Sequence, residues 1–325
     1  MPTIHRRTAC AGLLALAAPF GAWAQSAAGQ PVRISTVFPT GSGPDVVARI
    51  LGEKLQARWG RAVVIDAKPG GAGMVAINGV KGAAPNGSEL VVVDVGNLSI
   101  NPLIFKKLSY DADKDLVPVA VLYKTAFFVA VGAASPFKSV QELMAAAADK
   151  RKQLTYGSNA VGGPIHLHSE RLAHAAGVEM VHVPFKETSQ LYAAVATGEV
   201  DWAFGSMASA GPLVRGGKLR LLAVADRVRS PAMPDVPTLE SAGGPRDLQA
   251  STWVALMAPR GTPAATAADI NKAVNEALGL ADVKEKFSNF GFVPSPGPVQ
   301  QVVDLMLEDR ARYAEVVKRV KLSID

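Results

Sequence analysis

Between Leu116 and Val131 the chain carries a nearly unbroken apolar stretch, Val-Pro-Val-Ala-Val-Leu-Tyr and then Phe-Phe-Val-Ala-Val, with no helix-start signal inside it. A run of that length exceeds an ordinary strand and reads as a strand leaving one sheet and entering another. Thr252–Ala258 supplies the return strand. Two crossings between two α/β halves make a bilobed, hinged molecule with a cleft between the lobes. The length, 325 residues, suits two cores better than one. The expected division is residues 25–125 plus 252–325 for the first lobe and 126–251 for the second.

On either side of the crossing, short apolar runs alternate with helical patterns, which predicts βα units and parallel sheets. Strands are expected at Val32–Phe38, Ala62–Asp66, Glu89–Asp94, Phe127–Val131, Leu154–Gly157, Met180–Pro184, Asp201–Phe204 and Leu219–Ala225. Helices are expected at Asp45–Trp59, Met74–Gly82, Ser139–Asp149, His166–Ala176 and Ser189–Thr197. The C-terminal part, Thr266–Leu278 and Val299–Val320, is helical and amphipathic, with Val302, Met306, Tyr313 and Val317 mostly on one face.

The N-terminus reads as an export signal rather than as fold. Arg6 and Arg7 precede an apolar stretch from Ala9 to Phe20, and Ala22-Trp23-Ala24 gives the small-x-small pattern that predicts cleavage after Ala24. Residues after the arginine pair fit a twin-arginine motif poorly. Cys10, the one cysteine, falls in the segment to be removed, so disulfides, thiolate metal sites and thiol catalysis are excluded from the mature chain. Cleavage removes two arginines and no acid, taking the net charge from +6 to +4. No later apolar run approaches the roughly 18 residues of a membrane span. The expected product is exported to the periplasm of a bacterium-like cell.

Two loops carry the functional signal. Phe38-Pro-Thr-Gly-Ser-Gly-Pro-Asp45 lies between a strand end and a helix start, where unpaired amides and the helix dipole can hold an anion. Tyr156-Gly-Ser-Asn-Ala-Val-Gly-Gly-Pro-Ile-His166 repeats that form in the other half. Two such turns facing each other across a cleft would clamp a small anion, with Ser42, Ser158 and Asn159 adding side-chain bonds. A plain βα turn with a helix cap is the alternative for each.

Other motifs are weaker. Gly71-Ala-Gly-Met-Val-Ala76 satisfies the dinucleotide fingerprint, with Asp94 ending the next strand, but Ala67–Gly70 separates its glycines from the preceding strand. His166, Glu170 and His174 share a helical face, yet the first and last stand about 12 Å apart, too far for one ion. No G-x-S-x-G elbow and no P-loop occurs. Lys318-Arg-Val-Lys321 is a solvated helix end without stacking aromatics, so no nucleic-acid role is expected. No catalytic residue, metal or cofactor is expected.

Many separated motifs appear in an order that resembles the Bug family, the extracytoplasmic receptors of tripartite tricarboxylate transporters. They include Asp45-x-x-Ala48-Arg49, Lys68-Pro69-Gly70-Gly71-Ala72-Gly73, Pro85-Asn86-Gly87, Asn101-Pro102, His166-Leu167 with Glu170, His182-Val183-Pro184-Phe185-Lys186, Gly198-Glu199-Val200-Asp201 and Pro234-Asp235-Val236-Pro237-Thr238. The likeness runs from about Val32 to the C-terminus. It implies an α/β, type II periplasmic binding fold of two lobes joined by two crossover strands. It also implies a non-catalytic, monomeric receptor that closes over a small carboxylated solute and hands it to membrane permease subunits. A sensor passing its closed state to a membrane kinase, or an exported enzyme on the same frame, are the alternatives. The family's carboxylate is held by amides of both glycine loops. This implies ligand contacts at Thr40, Gly41, Ser42, Gly43 and Asp45 in the first, and at Ser158, Asn159, Ala160, Gly162, Gly163 and His166 in the second. Phe38, Asn97 and Ser206 are further expected to line the cleft, the last two after the strands ending near Asp94 and Phe204, with a structural role as the alternative for each. Ser42, Ala160, Gly163, Glu187 and Gln190 depart from the family's usual residues, which bears on which ligand is taken.

Overall fold

The structure, a computed structural model, describes residues 29–149 and 151–325. The expected export segment and its cleavage site lie outside the described residues. The first units are β1 (Val32–Thr36), α1 (Gly43–Trp59), β2 (Val63–Ala67), α2 (Met74–Lys81) and β3 (Glu89–Asp94). A π-turn at Gly96–Ile100 then runs into α3 (Asn101–Ile104), followed by α4 (Ala112–Asp115) and the long β4 (Leu116–Ala126). Past Phe127 come β5 (Phe128–Gly132), α5 (Val140–Ala148), β6 (Thr155–Ser158), α6 (Pro164–Ala175) and β7 (Val181–Pro184). α7 (Thr188–Thr197), β8 (Trp202–Gly205), α8 (Met207–Arg215) and β9 (Leu219–Val224) complete the second lobe's elements. β10 (Ser251–Pro259) returns, and α9 (Ala264–Gly279), α10 (Ala281–Ser288), β11 (Val293–Pro294) and α11 (Gln300–Val320) follow.

One sheet has the order β11-β4-β10-β3-β1-β2 and the other β7-β6-β8-β5-β9. The expected parallel pairing is found among the βα strands, and the sheets as wholes are mixed. β1 pairs in parallel with β2 and β3, and β6 with β7 and β8. The strands that arrive from the other lobe run the other way: β10 is antiparallel to β3 and β4, and β5 to β8 and β9. The reason is geometric. A strand arriving from the other lobe enters at the cleft-facing edge, where the βα strands finish, so it must run away from the cleft. The crossing point is tied by backbone bonds, with Phe127 N–H donating to Ala250 O, Ala250 N–H to Ala225 O, and Ala225 N–H to Phe127 O.

Both faces of the first sheet are covered, so its strands read as continuous apolar runs. Ile34, Leu90, Val92 and Leu256 pack one face against Leu51 and Leu55 of α1 and Val274 of α9. Val91, Val93 and Met257 pack the other against Ile77 of α2 and Val302, Tyr313 and Val316 of α11. The second core gathers Val129, Tyr156, Leu191, Trp202 and Phe204. Two second-lobe residues cross over: Leu167, on α6, is fully buried in the core built by α11 and the first sheet, and Ala208, on α8, packs half-buried against the core under α1. α1 stops at Gly60, whose φ of +64° satisfies the left-handed cap, its N–H donating to Gln56 O.

Candidate functional site

In each lobe the first βα strand lies between the second and the third, β2-β1-β3 and β7-β6-β8. The connections leaving the first and third strands therefore diverge, and a crevice opens at their carboxyl ends. The segments that reach it are the turn after β1, the helical turn after β3, the turn after β6 and the turn after β8.

The first turn is shaped by Asp45. Its carboxylate is buried and accepts the Gly41 N–H at 2.9 Å and Arg49 Nε–H and Nη2–H at 3.0 and 3.1 Å. Gly41 has φ +79°, a conformation glycine adopts without steric cost. The Ser42 hydroxyl and amide both donate to Pro39 O. The amides of Gly41 and Ser42 are thus occupied within the turn, and Asp45 faces inward. Helix geometry leaves Gly43 N–H and Asp45 N–H, at the start of α1, without carbonyl partners in the helix. Thr40 is exposed, and Phe38 packs half-buried against the lobe's core.

The second turn is held by two histidines. Ser158 Oγ–H donates to Ala160 O at 3.0 Å and lies 2.7 Å from His182 Nε2. His166 Nδ1 accepts the Gly162 N–H at 2.9 Å, and Gly163 N–H donates to Ala160 O. The two imidazoles stack with centroids 3.8 Å apart, and Tyr156 stacks on His182 at 5.1 Å. Burial lowers both histidines to about 4. Ser158 and His166 are therefore internal supports of the turn. Asn159 reaches Thr188 Oγ1 at 3.4 Å, and Ala160 is exposed.

Ser206 opens α8. Its hydroxyl accepts Ser209 N–H while Ser209 Oγ accepts Ser206 N–H, a reciprocal cap. Sequence reasoning placed Ser206 but missed the helix it starts, because Gly211 and Pro212 lie inside it. The Ser206 cap with Ser209 three residues on is the signal that could have found it.

Across the cleft the contacts are diagonal. A methyl group on Gly43 of the first turn would lie 2.8 Å from the Phe292 ring and 3.3 Å from Ala208 Cβ, so the start of α1 packs on Phe292 and comes up to the start of α8. A methyl on Gly162 of the second turn would lie 2.6 Å from Ile104 Cδ1 and 3.1 Å from Leu322 Cδ2. The β1 turn thus meets the β8 turn, while the β6 turn meets the helical segment after β3. The two glycine turns sit at opposite corners of the crevice.

Asn97 forms a brace inside the first lobe. Its Nδ2–H donates to Ala72 O at 2.9 Å, as does Asn101 Nδ2–H, and Tyr110 Oη–H donates to Asn97 O. Asp94 and Asn97 exchange backbone-to-side-chain bonds, and burial raises the Asp94 carboxyl to about 6. The fingerprint-like glycines form a left-handed turn here. Ala72 has φ +51°, and a methyl on Gly73 would lie 2.2 Å from Asn97 Nδ2. Among the described residues no cluster of three or more His, Cys, Asp or Glu is placed to hold a metal ion.

Residues 47–322 match the model of the tripartite tricarboxylate transporter family receptor, TctC. The chain belongs to that receptor family. TctC proteins are binding receptors, not enzymes, and the bilobed α/β fold is theirs. The chain is 28% identical to BugT of Bordetella pertussis, over 89% of each chain. It superposes on an R. palustris protein with adipate at TM-score 0.82 and 28% identity, covering 91% of this chain and 98% of that one. A second similar structure, MatC from Rhodopseudomonas palustris with bound malate, gives TM-score 0.76 and 30% identity over 88% and 99%.

Proposed function

We propose that this TctC receptor captures a small dicarboxylate or related organic acid in the crevice and delivers it, by lobe closure, to permease subunits of a tripartite transporter. The lobe division at 125/126 and 251/252, export to the periplasm and cleavage after Ala24 are part of this reading. The observation that carries it is the abutment of the α1 and α8 starts at Gly43 and Ala208, one from each lobe. Each start carries amide hydrogens without helical partners and a positive dipole end, suited to an anion. The similar structures with adipate and malate support the ligand class.

Magnitudes favour closure over binding to one lobe. A helix start contributes about 1–2 kcal/mol toward an anion in a partly buried setting, and a charge-assisted hydrogen bond roughly 1.5–3. A micromolar complex needs about 8 kcal/mol after the cost of association. One helix start cannot supply that; two, with the carbon chain buried between lobes, can. Ligand contacts to both lobes then shift the population toward the closed form.

A thermal-shift screen over carboxylic acids tests this. A ligand at about 100 times its Kd stabilises by about 2.7 kcal/mol. A shift with C4–C6 dicarboxylates and none with the matching diamides is expected. No shift with any carboxylate would contradict the proposal.

A further inference from the structure

We propose that His166 is a positioning residue whose neutral imidazole, stacked on His182, fixes the second glycine turn through the Gly162 amide, so that protonating it opens the turn where it meets Ile104 and Leu322 of the first lobe and thereby loosens the closed form that holds the ligand.

The geometry sets the tautomer. Gly162 N–H is a donor, so His166 Nδ1, 2.9 Å away, must be unprotonated. Ser158 Oγ lies 2.7 Å from His182 Nε2 and 3.0 Å from Ala160 O, so this hydroxyl links the second imidazole to the turn. The two rings, 3.8 Å apart and 10° from parallel, thus hold both ends of one turn: His182 through Ser158 at the strand end, His166 through Gly162 at the helix start. A proton on His166 Nδ1 sets two donors against each other. A second on His182 places like charges face to face.

The surroundings keep the pair neutral at pH 7. Tyr156 covers His182 from β6, and its hydroxyl donates to Glu170 of α6. Glu170 is the acid that raises His182, and it is outweighed by burial and by His166. Beyond it, Glu170 borders a surface groove shared with Arg151, Lys152, His174, Glu179 and Arg319 of α11. From the first lobe, the atoms nearest Gly162 belong to Ile104, Leu322 and Ile324, and the ion pair of Lys106 with Asp325 lies beside Ile324. His166 sits at about 4 because burial disfavours its cation. In an opened turn it regains its ordinary 6.5, so each pH unit lost between about 6.5 and 4 favours opening about tenfold.

The ligand part of this inference rests on the receptor reading; the turn part does not. Amide exchange of Gly162, normalised for its intrinsic rate, tests the turn in ligand-free protein from pH 7 to 4.5. In wild type the protection factor is expected to fall about tenfold per pH unit once the pH drops below about 6.5. His166→Asn keeps an acceptor near the Nδ1 position and cannot titrate; it is expected to keep protection with no such slope. His166→Leu is expected to lose protection at pH 7. Equal slopes in wild type and the Asn variant, or an unprotected Gly162 in wild type at pH 7, would overturn the proposal. A parallel titration with adipate and malate at pH 7 and 5 is expected to show acid weakening wild type more than the Asn variant; equal weakening counts against a role in binding. If neither acid binds at pH 7, the receptor reading fails for that ligand class, while the exchange experiment still decides the turn.

Discussion

His168 Nε2 lies 2.8 Å from the Tyr313 hydroxyl, joining α6 of the second lobe to α11 of the first. The same nitrogen is 3.0 Å from Ser251 O, where the return strand begins. Arg171 Nη1 reaches His168 Nδ1 at 2.9 Å and Gln249 O at 2.8 Å. Arginine can only donate, so Nδ1 accepts and Nε2–H faces Ser251 O and the tyrosine oxygen. α6, which carries the second turn at its start, is therefore fastened beside the hinge.

Tyr313→Phe removes one member of this buried network and leaves the ring packing. The expected cost is about 1 kcal/mol, a loss of about 2 °C in melting temperature for a chain of this size. Differential scanning calorimetry checks it. His168→Ala removes the ring as well and leaves Arg171 with Gln249 O alone of its two partners, so a cost of roughly 2–4 kcal/mol is expected.

Asp45→Ala releases the Gly41 amide and Arg49 together. We expect destabilisation of about 2–3 kcal/mol and a carboxylate affinity at least about tenfold weaker, because the first turn loses the group that shapes it. Asp45→Asn still accepts the Gly41 N–H and is expected to cost about 1 kcal/mol. Urea unfolding with and without ligand separates the two effects.

Stability is expected to rise with pH between about 4 and 6.5. His166 and His182 are lowered to about 4 and His168 to about 3, mainly by burial. A histidine lowered in the fold takes up a proton on unfolding below 6.5, so its contribution is complete above that pH and is lost as pH falls. Asp94, raised to about 6, acts in the opposite sense, as does Asp309, raised by its burial. His182 is half-exposed, so its share is discounted. A net uptake of one to two protons near pH 5 gives a slope of roughly 1.4–2.8 kcal/mol per pH unit. Urea midpoints at pH 4.5, 5.5 and 7 measure it.

Gly162→Ala meets two obstacles: a φ of +77° and the Ile104 side chain 2.6 Å from the new methyl. The backbone alone costs about 1 kcal/mol. The wedge between lobes is expected to weaken carboxylate binding more than it lowers stability in the ligand-free protein. Calorimetric titration beside a melting curve distinguishes them.

Much of this architecture was legible because burial on two faces writes long apolar runs. Glu89–Asp94 was bounded correctly, and the 116–131 stretch did leave one sheet for another, breaking at Phe127. The antiparallel crossing strands were missed because apolar runs carry no direction. α8 was missed because its Gly211 and Pro212 argue locally against a helix that Ser206 and tertiary packing impose. At the site, residue types were visible but their partners were not. Asp45 reads as a cap or first-turn residue of the ligand loop and Asn97 as cleft-lining from its place after a strand, while the hydrogen bonds of both run inside the first lobe. The diagonal pairing of turns depends on how the lobes meet, which no local pattern records.

The most direct measurement is a crystal structure of the protein with the dicarboxylate giving the largest thermal shift. The expected result places one carboxylate group within about 3 Å of the amides that begin α1 and α8, with the lobes closed on the carbon chain. A solute seated in the groove beside Glu170 and Arg319, or touching a single lobe, would contradict the account.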